Sequence, residues 1–214
     1  MYVPSAFKQE RLKELHAAMR ACGLATLVTT GPDGLIASHV PMLLDDALPP
    51  YGVLYGHIAK ANPQWQRSAL ELDALALFLG PDAYISPSWY ETRRQTGRVV
   101  PTWNYIAVHA YGRIAFFAEP ERLLDVVRRL TERHEGGRAA PWAVEDAPDD
   151  FIRAQLKGIV GFRLAITRLE GKWKLGQNRS PADRAGTVQG LAQEDAAGTA
   201  SIAALMAGDE TAGG

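Results

Sequence analysis

The sequence predicts a mainly β chain with flanking helices, its six to seven strands forming an antiparallel barrel. Three observations predict it. Extended runs rich in branched residues follow one another through short connections, an order that antiparallel pairing allows and parallel pairing does not. Residues 74–79 are apolar throughout, which calls for cover on both faces of that strand. Residues 103–118 form the longest extended run and read as a central strand, bent near Gly112. Closing such a sheet hides its edges.

Each element has its own signal. Phe7, Leu12, Leu15, Ala18, Met19 and Cys22 recur at helical spacing, with Ser5 placed to cap and Gly23 to stop the helix. Residues 24–30 and 35–44 are strands joined by the turn Gly31–Gly34, and so form a hairpin. After a loop with two prolines, residues 52–58 make a third strand. Asn62 and Pro63 stand at the cap and first position of a short helix. Residues 74–79 and 83–85 are the fourth and fifth strands, and 103–118 follows. Glu119 and Pro120 open a helix that runs to about His134, and 149–156 is a second, short one. Residues 160–175 are a last strand pair or one bent strand. We expect one domain over 1–190 with a helical insertion at 119–157, and a flexible or weakly helical tail over 191–214.

The totals exclude several classes. A net charge of −1 over 214 residues gives no global field for DNA or anionic lipid. A single cysteine, Cys22, excludes an internal disulfide and a multi-cysteine zinc site. No apolar run approaches the ~20 residues that span a bilayer. The chain reads as cytoplasmic, with no membrane association.

Chemistry concentrates in three places. Residues 80–90 and 100–105 hold two of the five tryptophans, Trp89 and Trp103, among tyrosines and prolines. They read as an aromatic wall with a basic loop (Arg93, Arg94, Arg98) between its halves. In HIAKAN, residues 57–62, a strand ends at His57, Lys60 adds a point charge, and the N–H groups of a helix start after Asn62. That suits a phosphate; it also suits a capped helix beside a solvated lysine. His39 and His109 lie in strands, where a lone histidine is more often a core or interface group than a base. No spaced metal-ligand set is present. Residues 151–184 carry eight basic side chains against two acids, peaking at KWKLGQNR, residues 172–179. The interleaved Trp173, Gln177 and Asn178 suit a planar anionic heterocycle, or single-stranded nucleic acid without a second stacking platform. There is no nucleophile elbow, phosphate-binding glycine loop or dinucleotide fingerprint, and no catalytic acid or base is identified beyond His57 and His109 by default.

At these residues the chain resembles the PaiB family of FMN-binding, negative transcriptional regulators. The matching stretches are MYVP at 1–4, HIAKANPQW at 57–65, AYISPSWY at 83–90, VPTWNY at 100–105 with Val108, His109 and Gly112, and KLGQNR at 174–179 with Asp183 and Arg184. Gly176 departs from the pattern, where a serine is expected. The resemblance implies an FMN-binding split β-barrel related to pyridoxamine-phosphate oxidases and flavin reductases, with flavin at a homodimer interface. It implies that His57, Lys60 and Asn62 lie at the phosphate and ribityl end, with His39 on the adjacent strand. It places Ser86, Ser88, Trp103 and Asn104 on a wall that reaches toward the other subunit's flavin. Lys174, Gln177, Asn178 and Arg179 would close the site.

Three readings follow. One is an FMN-dependent, oxidoreductase-like protein. The second is a regulator that binds DNA or a partner, with the basic 151–184 segment as the only place for nucleic-acid phosphates. The third is a dimer whose aromatic wall is interface core alone.

Overall fold

A computed structural model describes residues 1–211. In chain order the elements are β1 (Lys8–Gln9), α1 (Leu12–Ala21), β2 (Ala25–Gly31), β3 (Gly34–Val40), β4 (Leu43–Asp45), β5 (Val53–Ala59), α2 (Gln64–Arg67), β6 (Ala74–Ile85), α3 (Glu91–Thr96), β7 (Thr102–Phe117), α4 (Pro120–Glu135), α5 (Asp149–Leu156), β8 (Ile159–Lys174), α6 (Pro181–Leu191) and α7 (Thr199–Thr211). The strands form one antiparallel sheet in the order β3-β2-β6-β7-β8-β5-β4, and β1 pairs with β8. The fold is thus the mixed β and α, split-barrel type expected. Eight strands replace six or seven because β1 and β4, two and three residues long, leave no periodicity to read.

One expected break is absent. The fourth and fifth strands are a single strand, β6, running through Gly80 and Pro81. Gly80 is there for space: a Cβ would sit 2.3 Å from the Ile106 side chain. Of the two alternatives for residues 160–175, the single strand holds, as β8. Gly112 marks a close approach inside β7, since a Cβ there would fall 1.8 Å from the Ala165 carbonyl oxygen.

The chain forms two compact units, each assembled from separate stretches. The first contains residues 1–11, 79–108 and those from 170 on; the second contains 12–78 and 109–169.

The second unit carries the hairpin β2–β3, paired from Ala25 with Val40 to Gly31 with Gly34. It also carries the pairing of β5 with the start of β8, where His57 faces Gly161. On α4, Leu123, Val126 and Leu130 fall on one face and bury against Leu43, Phe117 and Leu156. Each such aliphatic side chain contributes about 1.5–3 kcal/mol when fully buried. Pro120 occupies the first turn of α4, where its missing N–H costs nothing.

In the first unit Ala83, Ile85, Tyr90, Ile106, Leu175, Leu191, Ile202 and Met206 are buried. Within the expected tail, residues 199–211 are helical, and Ile202 and Met206 are almost fully buried. Helix α6 lies so close to Trp89 that a Cβ at Gly190 would sit 2.3 Å from its ring, and one at Gly186 2.2 Å from its carbonyl oxygen.

Candidate functional site

The twelve residues singled out from the sequence divide between the units. His39, His57, Lys60 and Asn62 lie in the second; Ser86, Ser88, Trp103, Asn104, Lys174, Gln177, Asn178 and Arg179 lie in the first.

In the second unit, the segment after β5 is organised by Asn62. Its Oδ1 accepts the backbone N–H of Gln64 at 2.9 Å, as a capping side chain does, and its Nδ2 donates to Ser38 Oγ at 2.8 Å. Gln64, fully buried, then donates from Nε2 to Leu27 O, Thr29 Oγ1 and Ile36 O at 3.1–3.2 Å. These bonds tie α2 to both strands of the hairpin. With four residues, α2 sums few peptide dipoles, and one of its leading N–H groups already belongs to Asn62. His39 Nδ1 lies 2.9 Å from Thr26 Oγ1, its partner across the hairpin. The groups left over among the described residues are the buried Oε1 of Gln64 and those of His57 and Lys60. Among the described residues, the buried Nδ1 of His57 has no hydrogen-bond partner. Burial pushes this imidazole's pKa down, which keeps it neutral at pH 7. The backbone of Lys60 is fixed, its N–H on Gly158 O at 2.8 Å and its carbonyl accepting Trp65 Nε1 at 3.0 Å. No ion pair among the described residues engages its ammonium. Lys60 lines a cleft of about 490 Å³ with Ala118, Pro120 and Leu123 on one side and Arg153, Lys157 and Ile159 on the other.

In the first unit most of the named polar groups are consumed by the protein. Lys174 Nζ donates to Thr102 Oγ1 and, at 2.6 Å, to Trp103 O. Partial burial, then the charges of Lys172 and Arg179, push its pKa down. Asn104 is buried and donates to Met206 Sδ at 3.4 Å. Gln177 bridges its own turn, accepting Leu175 N–H and donating to Trp173 O, both at 2.9 Å. The Ser86 and Ser88 hydroxyls bond each other at 2.7 Å, and Ser86 Oγ also accepts the Ser88 N–H. Arg179 stacks 4.6 Å from the ring centre of Tyr90, whose buried phenol has its pKa raised, chiefly by burial. Asn178 is exposed. Trp103 is 53 % exposed and meets Tyr84 edge-on at 5.9 Å. With Leu79, Gly80, Asp82, Tyr105 and Ile106 it borders a shallow hollow of about 230 Å³.

The missing serine hydroxyl at position 176 has a backbone explanation. Gly176 has φ +77°, where an L side chain is strained even though a Cβ would find room. The sequence reading missed Asp183 as a structural anchor. This buried carboxylate accepts the Thr92 N–H at 2.9 Å and the Thr92 hydroxyl at 2.8 Å, tying α6 to α3. Burial raises its pKa, but those bonds, Ser180 and Arg179 outweigh burial and hold it below the usual range. The first lysine at the peak of the basic run is also not on the surface. Lys172 is 8 % exposed, donates to Tyr2 O at 3.2 Å, and lies 5.1 Å from the ring centre of Tyr105. Arg153 and Lys157 were visible only as members of that run. Arg153 on α5 and Lys157 at its C-cap, four residues on with helical backbone, share a face.

The residues present fit a phosphorylated flavin in two respects. His57 offers an orphaned buried nitrogen, and Lys60 an uncommitted cation. No group of three or more His, Cys, Asp or Glu side chains placed to hold a metal occurs among the described residues. No helix among them is long and apolar enough to cross a membrane.

The large antiparallel sheet with its flanking helices defines a split-barrel protein, and the chain's similarities narrow the class. Residues 1–168 match the family described as "Putative FMN-binding domain", and the chain belongs to that family. It is 34% identical over 206 residues to the Bacillus subtilis (strain 168) "Protease synthase and sporulation protein PAI 2", covering 96% of each chain, which bears out the PaiB resemblance. Among solved structures it is similar to the conserved hypothetical protein Rv2991 from Mycobacterium tuberculosis, with TM-score 0.58 and 16% identity over 85% of this chain and 94% of that one. It is also similar to the FAD and heme binding protein from Mycobacterium smegmatis, with TM-score 0.58 and 16% identity over 89% and 82%. At such identities these two likenesses concern the fold.

Proposed function

We propose that this protein binds FMN, with His57 and Lys60 at the phosphate and ribityl end, and acts as a homodimer. The observation that carries the reading is the pairing of a buried, unsatisfied His57 Nδ1 with an uncommitted Lys60 three residues on, in a chain of an FMN-binding family. Bound FMN would supply one- and two-electron redox chemistry. Lys60 would neutralise phosphate charge, and the neutral His57 would exchange one hydrogen bond with the ligand. Asn62, Gln64 and Ser38 hold the segment rigid, so little ordering entropy is spent on binding. The exposed Leu79, Tyr84 and Trp103 of the first unit supply the dimer contact, as an apolar aromatic patch of this kind suits an interface better than solvent.

Absorbance titration with FMN and sedimentation in solution test both parts. The unaltered protein should bind FMN, Lys60→Glu should weaken binding about tenfold or more, and Trp103→Ala should shift the mass toward monomer. FMN that fails to bind at large excess ends the flavin reading. A monomer at every concentration ends the dimer.

A further inference from the structure

We propose that the cleft beside α5 is a second ligand site, for a small organic anion with an apolar body. Its floor is aliphatic: Leu123, Leu156 and Ile159, with Ala118 and Pro120 at the edge. Its rim is cationic. Arg153 lies on α5, and Lys157, the C-cap residue with helical backbone, follows four residues later on the same face; Lys60 follows directly after β5. One carboxylate, Asp150, lines the same cleft. Its Oδ1 accepts the N–H of Phe151 at 2.9 Å, and it pairs with none of the three cations. Among the described residues no acid forms an ion pair with Lys60, Arg153 or Lys157. Elsewhere on the second unit the surface cations find acids readily, as in Arg128 with Glu145 and Arg113 with Asp73. Like charges four apart on a helix repel, and an anion lying between them removes that penalty. The guanidinium fork of Arg153 matches the oxygens of a carboxylate or phosphate. The cleft's volume of about 490 Å³ falls in the ~300–1,000 Å³ range of small-molecule pockets, and its mix of apolar floor and few charges is the usual one.

The proposal does not rest on flavin binding, and its test avoids Lys60, the residue common to both. Isothermal titration at low salt would use octanoate, octyl phosphate and octan-1-ol as probes. We expect one site per chain for an eight-carbon anion, with the neutral alcohol at least about tenfold weaker. The preferred head group identifies the natural one as carboxylate or phosphate. The double variant Arg153→Glu with Lys157→Glu should lose affinity about tenfold or more. Ala154→Trp, at an exposed helical position lining the cleft, should also lose it by filling the space. Both should unfold at the midpoint of the unaltered protein, and FMN affinity should be unchanged in both. The proposal is overturned if neither anion binds, if octan-1-ol binds equally well, or if either variant retains affinity. Competitive displacement of the anion by FMN would also overturn it, since the cleft would then belong to the flavin.

Discussion

The two units hold similar side chains in opposite conditions. In the first, Lys172, Lys174, Asn104, Gln177, Ser86 and Ser88 all have protein partners. In the second, among the described residues, His57 Nδ1 and Gln64 Oε1 are buried without a partner, and Lys60, Arg153 and Lys157 carry charge without an ion pair. A polar group that a protein has already satisfied stabilises the fold and has little left for a ligand. A polar group left unsatisfied costs stability and becomes useful only when something binds. The satisfied polar residues of the first unit are therefore expected to matter for folding, and His57, Lys60, Arg153 and Lys157 of the second for binding.

The largest effect should come from Lys172. Its charge is buried, and Lys172→Glu replaces it with an uncompensated one beside Tyr2 O and two aromatic rings. Denaturant unfolding should show a loss of about 3–5 kcal/mol. If the loss is no greater than for Lys157→Glu at the exposed C-cap of α5, the contrast between the units fails. Lys174→Met keeps the stem and removes two charge-assisted bonds, which should cost about 1.5–3 kcal/mol by the same measurement. Gln177→Ala removes both bonds across the 173–177 turn, each worth ~1 kcal/mol, for a loss of about 1–2 kcal/mol.

The sequence carried the framework of this contrast but not its terms. The hairpin, β5, β7 and α4 were legible because their signals are local: a turn between branched runs, a sixteen-residue extension, a proline-led amphipathic helix. Helix α3 was hidden in the expected basic loop, since six polar residues ending at Gly97 show no apolar face. Helix α6 was missed because the face it buries includes glycine; Gly186 and Gly190 contact Trp89, about a hundred residues earlier. The same distance hid the satisfaction of the candidate residues. Nothing near Lys174 in sequence announces Thr102, and nothing near Asn104 announces Met206. His57 and Lys60 were legible as candidates because strand end, cation and cap are neighbours in the chain.

The pH dependence sharpens the contrast further, because the two units titrate for different reasons. His57 has its pKa lowered by burial, so the unfolded chain binds the proton more tightly than the folded one. Its contribution to stability is present above the ordinary histidine range and is lost as pH falls through it. Asp183 has its pKa lowered despite burial by its bonds to Thr92, so its contribution persists to lower pH and is lost below the ordinary carboxylate range. Unfolding midpoints followed from pH 8 to pH 3 should therefore show two separate declines. His57→Leu should remove the upper one, and Asp183→Asn should shrink the lower one, to which Asp46, Glu119 and Glu145, whose pKa values are also held down, contribute. A His57→Leu variant with an unchanged profile would show that the imidazole is not held neutral by burial.

The smallest effect on stability is the most informative about function. Lys60→Ala removes an exposed ammonium with no ion pair, leaving the backbone bonds to Gly158 and Trp65 in place. Its unfolding free energy should stay within about 0.5 kcal/mol of the unaltered protein, as for a surface substitution away from any special feature. FMN affinity, in contrast, should fall, because a phosphate held by Lys60 loses that charge. Were the lysine a structural residue like Lys174, the order would reverse, with stability lost and affinity for FMN kept. Measuring both on one variant separates a side chain held for folding from one held for a ligand.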